Sequence, residues 1–523
     1  MIWPGRAKGG LGALLAVALM AGCSPAVPSP TPPPSSANVK PTVPTPSADD
    51  SSPPSSPSPS IAAVPATRAH WSDCGNGFLC AEIRVPRDYS APSDGYLNIS
   101  ILELPATDPK GRIGSLFVNP GGPGASGVEF VRDGAGAGLF PAALRKRFDI
   151  VGFDPRGVNS STAIRCIDNL DPQADLDPSP DTPAELKALV DSARDYADQC
   201  AKRNDATLPY LSTDAVARDL DVIRAAVGDE RLTYLGFSYG TLIGSIYADL
   251  FPDHIRAMAL DGAIDPALDL EQFRFGQAKG FEDALQSFLE DCAARTSCDF
   301  HENGRTAQAF NSLMASIDAK PLRATLLEDS RLVGPGIAWY SVLAALYARE
   351  SWPTLARTLA LAKEGDGSLM LLIADPFRGR KPNGSYSNLQ DAYTANTCLD
   401  FQAPTDVAVY TSWAKKLQGS APHFAQLIAY NDLVCAFWPI PAARTPAAVR
   451  AKGAPPIVVV GSTGDPATPY AWAVALSKEL DSGVLVTRKG EGHTGYHASS
   501  CVQRAIDAYL VDLKVPKKGL TCN

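Results

Sequence analysis

Ser238 lies at the centre of Gly236-Phe237-Ser238-Tyr239-Gly240, a Gly-x-Ser-x-Gly pattern. A serine hydroxyl attacks a carbonyl only beside a base that takes its proton. The apolar run Leu232-Thr233-Tyr234-Leu235 leads into the pattern and a helical run, Thr241–Leu250, leads out. That context predicts a strand–turn–helix elbow holding the hydroxyl out at the end of a sheet strand. The flanking glycines suit a turn too tight for β-carbons.

The base must be one of six histidines. His70 lies near the start of the folded chain, and His254, His301 and His423 sit in helical or loop settings with no strand leading in. Glu491-Gly492-His493-Thr494-Gly495 is a Gly-flanked loop just after the apolar run Val484–Thr487. His493 is therefore the expected base, with His497 as the rival in the same late segment. An acid should orient the imidazole from the end of the preceding strand unit. Ile457–Gly461 leads into Ser462-Thr463-Gly464-Asp465-Pro466, which selects Asp465. Asp261, after the run Ala257–Leu260, is the rival acid.

Acyl transfer also needs donors for a developing oxyanion. Asn119-Pro120-Gly121-Gly122-Pro123-Gly124 follows the run Ser115–Val118, and its glycines allow main-chain amides close approach. The backbone N–H groups of Gly122 and Tyr239 are the expected donors. A phosphate cradle is the alternative reading of such a loop, but neither Gly-x-Gly-x-x-Gly nor a Lys-Ser/Thr signature accompanies it. No Cys-x-x-Cys or Cys/His cluster has metal-ligand spacing, so neither a metal nor a cofactor is expected.

These residues need a frame. At 523 residues the chain is long enough for two compact units or one unit with an insertion. Tyr96–Leu104 alternates as an antiparallel strand, whereas Ser115–Asn119, Asp149–Phe153, Leu232–Phe237, Ala257–Leu260, Ile457–Gly461 and Val484–Thr487 read as buried parallel strands. Helices separate them. Thr182-Pro183-Ala184-Glu185 forms a capping box. Thr213 is the expected cap of a helix with the stripe Val216, Leu220, Ile223 and Val227, stopped by Gly228. The alternation predicts a doubly wound α/β sheet. Residues 268–450 break the rhythm with a mostly helical pattern and should cap the carboxyl ends of the strands. The hydrolytic core is expected over 67–267 and 451–523.

The first 66 residues read differently. Arg6 and Lys8 precede an apolar run, Leu11–Met20, too short to span a bilayer. Met20-Ala21-Gly22-Cys23 follows, resembling a bacterial lipobox in which Cys23 is lipidated. Residues 1–23 are thus expected to be a lipoprotein signal peptide, and 24–66, rich in Pro, Ser and Thr, a tether. The expected location is the extracytoplasmic face of the cell membrane, attached through lipid on Cys23. The net charge of −9 argues against a nucleic-acid partner. Eleven cysteines leave ten once Cys23 is set aside, an even number that suits an oxidising compartment. Many connectivities are open; pairing sequence neighbours gives Cys74–Cys80, Cys166–Cys200, Cys292–Cys298, Cys398–Cys435 and Cys501–Cys522. A monomer is expected.

Taken together, Asn119–Gly124, Asp154-Pro155-Arg156-Gly157, Gly236–Thr241, Leu260-Asp261-Gly262 with Asp265-Pro266, Gly464-Asp465-Pro466-Ala467-Thr468-Pro469 and Gly492-His493 resemble the tripeptidyl-aminopeptidase-like branch of the prolyl aminopeptidase group. The resemblance runs from about Trp71 to Cys522 and extends to exported mycobacterial carboxylesterase lipoproteins. It implies an α/β-hydrolase fold with a helical cap, and a peptide or ester substrate. The implied reaction is release of residues or short peptides from a free N-terminus, with activity toward small acyl esters; an esterase or lipase acting on acyl esters or envelope lipids is the alternative. The chain has Asn119-Pro120-Gly121-Gly122 where prolyl aminopeptidases usually carry His-Gly-Gly-Pro-Gly. Their amine-binding glutamates do not align onto this cap; Asp400 and Glu271 are candidates for that role, each expected as a solvated surface carboxylate.

Overall fold

The computed structural model describes residues 67–523. Cys23, the expected signal segment and the expected tether lie outside the described residues. A ten-stranded sheet organises the chain. Its strands are β1 (Ser72–Asp73), β2 (Leu79–Pro86), β3 (Tyr96–Leu104), β4 (Gly114–Asn119), β5 (Phe148–Phe153), β6 (Leu232–Phe237) and β7 (Ile255–Asp261). A ribbon of β8 (Leu322–Arg323) and β9 (Leu332–Val333) stands apart, and β10 (Ile457–Gly464), β11 (Gly483–Glu491) and β12 (Leu520–Cys522) complete the sheet. The order across it is β1-β2-β3-β5-β4-β6-β7-β10-β11-β12. Pairings from β1 to β5 are antiparallel, and every pairing from β5 onward is parallel.

The period of two decides which face each side chain covers. Phe117, Val151 and Val459 pack into one buried cluster with Tyr234, Leu220 and Ile243. Their neighbours Leu116, Val118, Ile150, Val458 and Val460 pack into another, against Val502 and Ile506. Helices on both faces therefore bury the central strands, which is why they read as continuous apolar runs. Three strands of the sheet, β1, β2 and β12, escaped the sequence reading, as did the β8–β9 ribbon. In β2, Ala81, Ile83 and Val85 are buried while Glu82 and Arg84 are exposed, a half-exposed alternation rather than an apolar run. The three residues of β12 are too few to show a period.

Between β7 and β10 lie helices including Leu270–Ala294, Thr306–Ala319, Pro335–Leu346, Trp352–Lys363, Ser368–Phe377 and Leu389–Asp400. They bury their own core, with Phe281, Phe288, Phe310, Leu355 and Phe424 at its centre. The excursion after β5 is tied to this cap: Cys166 and Cys200 pack with Cys398, Leu399 and Cys435. All five expected neighbour pairs are disulfide-bonded.

The capping box at Thr182 and Glu185 is present, and Gly228 ends its helix at φ 96°. Thr213 differs from expectation. Ser212 occupies the N-cap position, and Thr213 is the first helical residue, fully buried. Its amide and hydroxyl both donate to the Asp400 carboxylate instead. Arg156 of the Asp-Pro-Arg-Gly motif is also fully buried. Its guanidinium donates to both Asp219 oxygens and to the carbonyls of Pro86, Arg87 and Tyr210, so every donor group is satisfied.

Candidate active site

Ser238 follows β6 directly, at φ 54° and ψ −125°. Such a conformation costs a non-glycine residue about 1–3 kcal/mol and persists only where its surroundings hold it. Here the Ser238 amide donates to the Asp261 carbonyl at 2.9 Å, and the Ser238 carbonyl accepts from the Thr241 amide at 2.8 Å and hydroxyl at 2.6 Å. The turn leaves no room beside it: a Cβ on Gly236 would stand 2.5 Å from the Gly240 carbonyl oxygen. The helix Tyr239–Leu250 starts at the next residue.

Asp465 and His493 come from neighbouring parallel strands, β10 and β11. The imidazole Nδ1 lies 2.9 and 3.0 Å from the two Asp465 oxygens. A carboxylate only accepts, so Nδ1 carries the proton and Nε2 is left as the acceptor. Asp465 is buried and also accepts from the amides of Ala467 at 3.0 Å, Thr468 at 2.9 Å and Thr494 at 3.3 Å, and from the Thr468 hydroxyl at 3.1 Å. Burial opposes a charged imidazole, but the adjacent Asp465 carboxylate outweighs it and holds the His493 pKa above the ordinary 6.5. His493 Nε2 is buried with no hydrogen-bond partner among the described residues. It shares no hydrogen bond with Ser238 here, although the two residues line one cavity. Such contacts are commonly long before substrate binds.

The Asn119–Gly124 loop lies against the elbow. A Cβ on Gly121, at φ 97°, would stand 2.9 Å from the Tyr239 nitrogen and 2.6 Å from the Phe237 carbonyl oxygen. The amides of Gly122 and Tyr239 find no acceptor among the described residues. Asn119 accepts from the Gly121 amide at 2.9 Å and so shapes the loop.

The rivals go elsewhere. Asp261 accepts from the amides of Gly495 and Tyr496 rather than from an imidazole. His497 stacks on Phe237 at 5.6 Å, and burial lowers its pKa to about 4. His254 is bound by Asp221 and His423 by Glu282. Glu271 is a half-exposed partner of Lys416, as a surface carboxylate should be. Asp400 corrects the expectation: it is 1% exposed, in the wall of the Ser238 cavity. Burial pushes its pKa up to about 6 even though Thr213 donates to it.

The cavity holding Ser238 and His493 measures about 510 Å³. That is ordinary for a small-ligand site. The cap supplies Phe273, Phe281, Tyr347, Phe377 and Phe401 to its walls. Arg274 also reaches it, with its charge met by Asp432 and further bonds to the Tyr393 hydroxyl at 2.7 Å and Gln277 at 2.5 Å. Sequence reasoning missed Thr468, Tyr347 and Arg274. Thr468 stood inside a quoted motif, whereas the two cap residues carry no local signal. Among the described residues no group of three or more His, Cys, Asp or Glu side chains could hold a metal ion.

A family described as "TAP-like protein" matches residues 420–522, the stretch holding Asp465 and His493. Serine protease Hip1 of Mycobacterium tuberculosis is 37% identical over 462 residues, covering 85% of this chain and 87% of its own. Carboxylesterase B of the same organism is 36% identical, covering 88% and 91%. Tripeptidyl aminopeptidase of Streptomyces lividans is 33% identical, covering 88% of each. The chain belongs to the tripeptidyl-aminopeptidase-like group of α/β-hydrolases. Like other members of that group it is a serine hydrolase, with a mostly parallel sheet and helices on both faces. The cap helices lie between β7 and β10.

Proposed function

We propose that this hydrolase is an exported, lipid-anchored aminopeptidase that releases N-terminal residues or short peptides through an acyl-enzyme. Ser238 Oγ attacks the scissile carbonyl, and His493 Nε2 takes its proton and passes it to the leaving amine. Asp465 fixes the imidazole tautomer and favours the imidazolium as it forms. The amides of Gly122 and Tyr239 hold the oxyanion. Water, activated by His493, then releases the acyl product.

One observation carries the reading: the Ser238–His493 cavity has a buried carboxylate, Asp400, in its wall. Asp214 and Arg444 act on Asp400 electrostatically, and Asp214 is itself met by Arg444 and Arg218. A carboxylate in that wall suits the ammonium of a free peptide N-terminus. Anchoring through Cys23 outside the cytoplasmic membrane is part of the same proposal; the apolar run ending in Met20-Ala21-Gly22-Cys23 and the five disulfides support it.

Rates on free and N-acetylated peptide anilides test the peptidase claim; equal rates on both would remove the free-amine requirement. Labelling by a fluorophosphonate in wild type but not in Ser238→Ala tests the nucleophile. The aromatic walls favour a second reading, an esterase for acyl chains. A steep rise in rate toward long acyl chains in a nitrophenyl ester series would select it.

A further inference from the structure

Asp261 has no step in the mechanism above, yet it touches two of the loops that do. It ends β7, between β6, which delivers Ser238, and β10, which leads to Asp465; its register partners there are Phe237 and Val460. Its carbonyl oxygen accepts from the Ser238 amide at 2.9 Å. Its carboxylate accepts from the amide of Gly495 at 2.8 and 3.0 Å and from that of Tyr496 at 2.7 Å, just beyond His493. The next residue, Gly262, donates to the Val460 carbonyl at 3.1 Å, and a Cβ there would stand 3.0 Å from His493 Cε1. One residue therefore fixes the nucleophile turn with its main chain and the histidine loop with its side chain.

The carboxyl group is completely buried. The titratable groups facing it are the His493 imidazole, the Asp465 carboxylate and the Tyr496 phenol. No lysine or arginine forms an ion pair with it among the described residues, so the cation nearest in function is the imidazolium that forms during turnover.

We propose that Asp261 is a positioning residue that sets His493 against Ser238 and whose negative charge favours the His493 imidazolium. This rests on the assignment of Ser238 as nucleophile and His493 as base. Misplacement of reacting groups by about 1 Å can cost about 100-fold in rate, so a tie common to both loops has leverage on kcat. Burial pushes the Asp261 pKa up to about 6 despite its two amide bonds. Below that pH the side chain loses its charge and part of its capacity to accept, and the histidine loop loosens. Activity should then fall with two protons rather than one.

The test compares wild type and D261N on a nitrophenyl ester, which needs no free amine, with kcat and KM measured from pH 5 to 8. D261N keeps the side-chain shape while losing the charge, and its amide nitrogen must face one of the two main-chain N–H groups. The expected result is a fall in kcat of about 10- to 100-fold with KM changed less than about two-fold. The acid limb should move to lower pH and fall with a slope of one, where wild type is steeper below pH 6. Unchanged kcat, or reduced kcat with an unmoved limb, overturns the proposal and leaves Asp261 a structural residue. Thermal melting shows whether D261N is folded; if it is not, the wild-type limb decides, a slope of one below pH 6 overturning the proposal. Fluorophosphonate labelling separates the two levels: failure to label wild type at Ser238 sinks the mechanism itself, not the tie.

Discussion

The main-chain amide of His493 donates a 2.7 Å hydrogen bond to the carbonyl of Tyr347, and the two rings meet edge to face with centroids 5.4 Å apart. Tyr347 belongs to the cap, directly after the helix Pro335–Leu346. The cap therefore holds the imidazole loop from above while Asp465 holds the ring from the side. A Cβ on Gly492 would come 3.2 Å from the same Tyr347 carbonyl oxygen, so the two segments are in close contact.

Tyr347→Ala should retain the carbonyl but remove the ring that packs on the imidazole. We expect kcat for a small ester to fall about ten-fold, because a looser base spends less time correctly oriented. Tyr347→Phe should stay within about two-fold of wild type, since the phenol makes no hydrogen bond among the described residues. Steady-state kinetics on both variants check this; equal losses would show that the phenol, not the ring, matters.

Asp465→Asn should lower kcat by about 10³- to 10⁴-fold by permitting the wrong imidazole tautomer. The loss should exceed that of D261N, whose side chain does not touch the ring. A smaller loss in D465N than in D261N would reverse the assignment of orienting acid. Single-turnover rates give the comparison free of product release.

The acid limb of activity should lie above pH 6.5. His493 must be neutral to act, and its pKa is raised, so activity is present above the raised value and lost as pH falls through it. In D465N the raising influence is gone, and the residual activity should persist to lower pH. A pH–rate profile on a non-ionising ester reads both; a wild-type midpoint well below 6.5 contradicts the electrostatics.

Asp400→Asn should weaken free-amine substrates selectively. A hydrogen bond to a charged partner is worth about 1.5–3 kcal/mol, which corresponds to about a 10- to 100-fold loss in kcat/KM. The N-acetylated analogue should change little. With the Asp400 pKa pushed up to about 6, the wild-type preference for a free amine should also fade as pH drops through that value. Equal losses on both substrates would assign Asp400 to structure alone.

Cys398–Cys435 spans 37 residues and lies in the cluster that joins the cap to the excursion after β5. Cross-linking a loop of that length is worth about 3–4 kcal/mol in the chain-entropy account. A Cys398→Ser/Cys435→Ser variant should melt several degrees lower, and its amine preference should weaken because Asp400 lies two residues from Cys398. Calorimetry with parallel substrate comparison checks both.

The sequence by itself determined what depends on neighbouring residues. The elbow at Ser238 follows from glycines around a serine between an apolar run and a helical one. The parallel strands follow from runs buried on both faces, whereas the cysteine pairing stayed open until the fold brought each pair together. The sequence also ordered the serine, acid and histidine along the chain. Tertiary structure decided what depends on distant segments. Asp261 and Asp465 both end strands, and only the approach of β11 to β10 puts His493 beside the second. Thr213 looks like a helix cap and Asp400 like a surface acid until the cap brings Leu389–Asp400 onto the core, where each satisfies the other. Tyr347 carries no local sign of its role, because a hydrogen bond from the His493 amide needs only a carbonyl, which any residue supplies, in a position that only the folded cap defines.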